Sequence, residues 1–193
     1  MADANPDPSN LKSRLRVVVR SETQVTQQTD RLSQRGQEPV ARPIAGGLYA
    51  LYVLTTDNDD YEPLTREALA GLALDEPRLH VASVRNIINE IQAIEREGDD
   101  GAWLLSEPGG LEESLMFVPA VWTWVSKWTV GDPVACLPSR DVLLVTGADD
   151  EQGLLRLREA ADAVLAEGES AISTAILRWD GTRWRVLDAH GVT

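Results

Sequence analysis

Leu48-Tyr49-Ala50-Leu51-Tyr52-Val53-Leu54 is an unbroken apolar run between Gly46-Gly47 and Asp57-Asn58. It is short and rich in Tyr, Val and Leu, which reads as a strand buried on both faces. The second firm signal is at the other end. Ala175–Trp179 and Thr182–Leu187 flank Asp180-Gly181, a pair that favours a two-residue hairpin turn. That turn sets Trp179 opposite Thr182, Arg178 opposite Arg183 and Leu177 opposite Trp184. Leu177, Trp179, Trp184 and Val186 then share one face, and Arg178, Arg183 and Arg185 the other.

Between these ends the pattern alternates. Pro63 and Thr65 begin a helix over 65–72. A longer helix follows over 77–97, with Val84, Ile87, Ile88, Ile91 and Ile94 as its apolar stripe, Asp75 as N-cap and Gly98 as its stop. Trp103–Leu105 and Ser114–Val118 read as strands around Pro108-Gly109-Gly110. Residues 119–128 fit both a strand and a helix, and Pro119 favours a short helix. Val134–Leu137 and Val142–Val145 are two strands flanking Pro138-Ser139-Arg140. A last helix runs from Asp150 to Glu167 and ends at Gly168. The expected fold is α+β: a single domain with a mixed or largely antiparallel sheet of about five to six strands, two main helices and a C-terminal hairpin.

The chain has 193 residues, enough for one core. Residues 1–38 are rich in proline and polar side chains, and are expected to be a flexible or partly ordered N-terminal segment. Val17-Val18-Val19 favours extended structure within it. The compact domain is expected over 39–193. There are 31 acidic and 18 basic residues, a formal charge of -13. Such a field repels phosphates and anionic lipids, so nucleic acid and membrane are not expected partners. The single cysteine, Cys136, cannot form an internal disulfide. The N-terminus lacks the basic and apolar regions of a signal peptide, and no run is long enough to span a bilayer. A cytoplasmic location is the default expectation.

Several segments together resemble the YtpQ-like family of uncharacterised bacterial proteins, a domain of unknown function. They are PIAGGLYALYVL (43–54), YEPLTREALAGLAL (61–74), ESL (113–115), GDPVACLPSRDVLLVTG (131–147), EQGLLRLREAA (151–161) and LRWDGTRW (177–184). The resemblance covers about three quarters of the chain. It implies an α+β cytoplasmic domain and brings no catalytic residues with it. Only some forty residues precede the match here, fewer than family members tend to carry.

Candidate chemistry is sparse. His80 and His190 fit no metal spacing, and with one cysteine there is no zinc set. Asp57-Asn58-Asp59-Asp60-Tyr61-Glu62 begins like a calcium loop but has Glu62 where glycine is needed and Ala68 where glutamate is needed. There is no phosphate loop, dinucleotide turn or nucleophile elbow, and no cofactor is implied. Arg140 and Asp141 are candidates for an anion site, or for a structural pair tying a turn to its neighbours. Arg178, Arg183 and Arg185 form a cationic face that needs something negative nearby, internal carboxylates or an anionic ligand. Trp122 is the candidate protein contact, against a core role. The favoured expectation is a non-enzymatic module that binds another protein. The alternative is a small enzyme or ligand-binding domain with its anion site on Arg140 or the hairpin arginines. Oligomeric state is not legible.

Overall fold

The computed structural model describes residues 8–56, 60–99, 101–168 and 171–187. Helix α1 (Pro8–Ser13) leads into strand β1 (Leu15–Ser21) and helix α2 (Glu22–Ser33). Strands β2 (Ala41–Pro43), β3 (Leu48–Thr55) and β4 (Tyr61–Pro63) follow, then helices α3 (Arg66–Gly71) and α4 (Glu76–Glu90). Strands β5 (Glu95–Asp99) and β6 (Ala102–Ser106) precede helices α5 (Glu112–Leu115) and α6 (Pro119–Val125). The chain ends with β7 (Pro133–Ser139), β8 (Val142–Gly147), α7 (Glu151–Glu167), β9 (Ile176–Trp179) and β10 (Trp184–Val186). The result is a single α+β domain, as expected, but with two antiparallel sheets rather than one. In the smaller, β3 pairs with β1 on one side and with β2 and β4 on the other. The larger runs β10-β9-β7-β8-β6-β5.

One apolar core joins both sheets. Val17, Val19 and Tyr52 from the small sheet meet Ala135, Leu143 and Leu177 from the large one, with Leu79 and Ile87 of α4 and Leu115, Trp122 and Val125 of α5 and α6. Helix α7 covers the opposite face of the large sheet, packing Leu157 and Ala161 on Cys136. Asp150 caps it through Gly153 N–H at 2.8 Å, and Gly168 ends it with φ 77°. Among the described residues, no helix is long and apolar enough to cross a membrane.

The domain boundary expected at residue 39 is corrected. Leu15, Val17, Val18 and Val19 are 0% exposed, and β1 pairs with β3 along its whole length. The core therefore begins at Leu15. As an edge strand, β1 needs partners for the carbonyls that turn away from β3. Side chains supply them. Asn86 Nδ2 donates to Leu15 O at 3.0 Å, Ser114 Oγ to Val17 O at 2.9 Å, and Arg20 Nη1 to Val19 O at 2.6 Å. The polar run after β1 becomes α2, with no buried residue and with a capping box in which Ser21 and Gln24 exchange hydrogen bonds.

Three further expectations change. The long helix stops at Glu90; Ile91 leaves it with ψ 119°, and Glu95–Asp99 is a strand paired with β6. Residues Ser114–Val118 are not a strand: α5 and a turn occupy them. Trp122 is not a protein contact. It is 0% exposed, its Nε1 donates to Leu115 O at 2.9 Å, and its ring meets Trp184 edge-on at 4.5 Å. Helix α6 itself is as expected, beginning at Pro119.

The terminal hairpin keeps its faces but moves its register by two. Trp179 pairs with Trp184 and Arg178 with Arg185, so residues 180–183 form the loop. Asp180 explains the longer loop. Its Oδ1 accepts from Thr182 N at 3.0 Å and from Arg183 N at 2.9 Å, which replaces the two-residue turn by a side-chain-closed one. Gly181 still takes the positive φ expected of it, 93°.

Candidate functional site

A polar cavity of about 360 Å³ opens where four chain segments converge. The end of β1 contributes Arg20, and the start of β4 contributes Asp60 and Tyr61. The loop before α5 contributes Gly109-Gly110, α5 contributes Glu113, and the β7–β8 turn contributes Arg140-Asp141.

Each segment is held for a local reason. Strand alternation puts Arg16, Val18 and Arg20 on the face away from the main core, and Val18, Leu51, Val53 and Tyr61 form a small apolar cluster there. The glycine loop is fixed by Glu107, whose Oε2 accepts from Gly109 N–H at 2.6 Å. A Cβ on Gly109 would come within 2.7 Å of that oxygen, and Gly110 has φ 70°. Glu107 N–H in turn donates to Glu112 Oε1 at 3.0 Å, so the loop is tied to the first turn of α5. Both Glu107 and Glu112 are buried, and Glu112 Oε2 has no hydrogen-bond partner among the described residues.

Glu113 is the centre of the electrostatics. Its side chain is 4% exposed and forms an ion pair with Arg20. Burial dominates over that pairing and raises the carboxyl pKa to about 7; Arg20 and Arg140 pull it down and Asp141 pushes it up. Burial also raises the Tyr61 pKa, with Glu113 adding to the shift and Arg16, Arg20 and Arg140 opposing it. Arg140 and Asp141 lie at the exposed mouth, with Nε and Oδ1 3.4 Å apart. The cavity thus joins two guanidinium groups, the buried Glu113 carboxyl poised near neutrality, the carboxyls of Asp60 and Asp141, and one phenol.

The sequence candidates divide. Arg140 and Asp141 line this cavity. The hairpin arginines do not reach it. Arg178 Nε donates to Asp132 Oδ2 at 2.7 Å. Arg185 Nε donates to Asp180 Oδ2 at 2.6 Å, and Arg183 Nε lies 3.6 Å from the same oxygen. Internal carboxylates answer the cationic face, and Arg178 opposes Arg185 rather than Arg183. Arg20, Tyr61 and Glu113 are absent from the sequence candidates. The alternation Arg14, Arg16, Arg20 on a Val-rich strand was a signal for Arg20; nothing local marks Glu113, whose partner is 93 residues away. Of the calcium-like loop, Asp57, Asn58 and Asp59 lie outside the described residues, as does His190. Among the described residues, no three His, Cys, Asp or Glu side chains are placed to hold a metal ion.

No family model, curated protein or solved structure matches the chain. The resemblance to the YtpQ-like family therefore stands on the quoted segments alone.

Proposed function

We propose that the chain is a small ligand-binding domain whose site is the Arg20–Glu113–Arg140 cavity. The ligand is a compact molecule bearing a carboxylate or phosphate. The carrying observation is the convergence of two guanidinium groups, one from β1 and one from the β7–β8 turn, with a buried carboxyl in one polar cavity. Arg140 is exposed and, among the described residues, ion-paired with its neighbour Asp141 alone, so it can turn to an anion. Glu113 exchanges a proton near neutrality, which suits it to donate to or accept from the ligand's second polar group. Tyr61, Glu113, Arg140 and Asp141 come from three of the segments that resemble the YtpQ-like family, and that coincidence supports the same reading.

Of the features behind the protein-binding expectation, an acidic surface and exposed aromatics, the core absorbs Trp122. The groove of about 640 Å³ along α4 is lined by Lys12, Arg78 and Arg85 around Pro77 and Val81, opposite in sign to the acidic surface that expectation uses.

Calorimetric titration with inorganic phosphate and with succinate tests the proposal. One of the two is expected to bind saturably. Arg140→Ala should weaken it about tenfold, the scale of one charge-assisted hydrogen bond, at an unchanged melting temperature. Binding that is equal in Arg140→Ala, or absent for both anions, would remove the proposal.

A further inference from the structure

A second cleft of about 390 Å³, sharing no residue with the first, lies between β2, the start of α4 and the terminal hairpin. It is lined by Arg42, His80, Phe117, Trp179, Thr182 and Arg183, with Ile44, Met116 and Trp184 among its apolar residues. Two features set it apart from the first cavity. The chain carries 31 acidic residues, yet none of the described residues lining the cleft is acidic. Two aromatic pairs also line it: His80 with Phe117 at 6.0 Å, and Trp179 with Trp184 at 5.2 Å.

The charges are pre-set. Tyr52 hydroxyl lies 3.1 Å from His80 Nδ1, and Arg42 Nη2 lies 3.2 Å and 3.1 Å from the two ring nitrogens. One nitrogen nearly equidistant from both ring nitrogens sits over the ring rather than in its plane, so Arg42 Nη2 lies against the face of His80. Burial and the Arg42 charge push the His80 pKa down to about 4, so the ring is neutral and the two arginines supply the positive charge. Asp180 answers Arg185 at 2.6 Å and Arg183 only at 3.6 Å, which leaves Arg183 the more loosely held. Arg183 is 67% exposed at its side chain, so turning toward the cleft disturbs no packing.

We propose that this cleft binds a small molecule that joins a flat aromatic ring to an anionic group. The anion meets Arg42 and Arg183, and the ring packs against Phe117 and Trp179. Guanidinium groups suit a carboxylate or a phosphate equally in charge and fork geometry. The ring is what the aromatic walls add, through offset or edge-on contact.

The test follows the indole N–H resonances of the 15N-labelled full chain, with Trp179 assigned by Trp179→Phe. The probes are indole-3-acetate and adenosine monophosphate, with tryptamine, inorganic phosphate and acetate as controls. At least one of the first two is expected to shift the Trp179 signal saturably. Response to indole-3-acetate alone identifies a carboxylate ligand, and response to the nucleotide alone identifies a phosphate. Arg183→Gln and Arg42→Gln should each weaken binding about tenfold. If Arg42→Gln disturbs the fold by releasing His80, the exposed Arg183→Gln still decides. Arg140→Ala should leave this binding unchanged, which separates the cleft from the first cavity. Three results overturn the proposal: no shift with either probe at millimolar concentration, tryptamine binding as tightly, or binding unchanged in Arg183→Gln.

Discussion

Glu113, buried, and His80, half-buried, are ionisable groups of opposite character, and their contributions to stability run in opposite directions with pH. The Glu113 carboxyl rises from 4.5 to about 7 on folding, so the folded chain holds a proton that the unfolded chain has released. Its contribution is fully present below pH 4.5 and is lost as pH rises through 7. The shift corresponds to a difference on the order of 3 kcal/mol. His80 falls from 6.5 to about 4, so the unfolded chain binds the extra proton. Its contribution is present above pH 6.5 and is lost as pH falls through 4. Urea midpoints measured from pH 4 to 8 should show both. The two slopes oppose each other between about pH 4.5 and 6.5, so Glu113→Gln should expose a rise in stability with pH through that window and His80→Gln a decline. Curves parallel to wild type in both variants would show that neither group titrates as the fold requires. This pair also marks a limit of sequence reading. A lone histidine near a helix start reads as structural or solvated, and its neutral state depends on Arg42 and Tyr52, which are distant in the chain.

At the scale of elements, legibility followed punctuation. The runs bounded by Gly-Gly, Pro-Ser-Arg and Asp-Gly became β3, β7, β8 and β9, and the Asp150 and Gly168 caps bounded α7. Elements whose identity depends on a distant partner were not legible. Helix periodicity continues through Ile91 and Ile94, yet the helix ends at Glu90 because Gln92 N–H is taken by Glu107 Oε1 at 3.1 Å. Strand β5, Glu95–Asp99, is fully exposed and has no alternation to read. It exists by pairing with β6, helped by Arg96 lying 4.6 Å over the Trp128 ring. Helix α5 is a single turn of Glu-Glu-Ser-Leu, too short and too polar to show an apolar period, and Ser114 decides its placement by closing the β1 edge at Val17 O. Ser114 is 1% exposed. Ser114→Ala should therefore cost about 1–3 kcal/mol, the penalty for leaving that carbonyl unmet. An unchanged urea midpoint would mean that another donor covers the edge.

For the whole molecule, the uneven charge of the sequence turns out to be a docking code within one domain. Residues 1–47 hold seven Lys or Arg against five Asp or Glu, while the remainder is strongly acidic. Strand β1 carries that excess inward. Arg16 pairs with Glu90 of α4, Arg20 pairs with Glu113 of α5, and Arg14 Nε donates to Thr55 O at 2.5 Å. Composition alone could not show this, because a polar, proline-rich N-terminus looks the same whether it is loose or inserted. A chain of residues 39–193 separates the two readings. Without β1, one edge of β3 is unpaired, the core loses Leu15, Val17 and Val19, and the buried Glu113 loses its cation. Each large aliphatic side chain removed from the core is worth about 1.5–3 kcal/mol, so the three together approach the whole stability of many domains. The 39–193 chain should therefore show poor amide dispersion and no cooperative thermal transition. A cooperative melt within a few degrees of the full chain would restore residue 39 as the start of the domain.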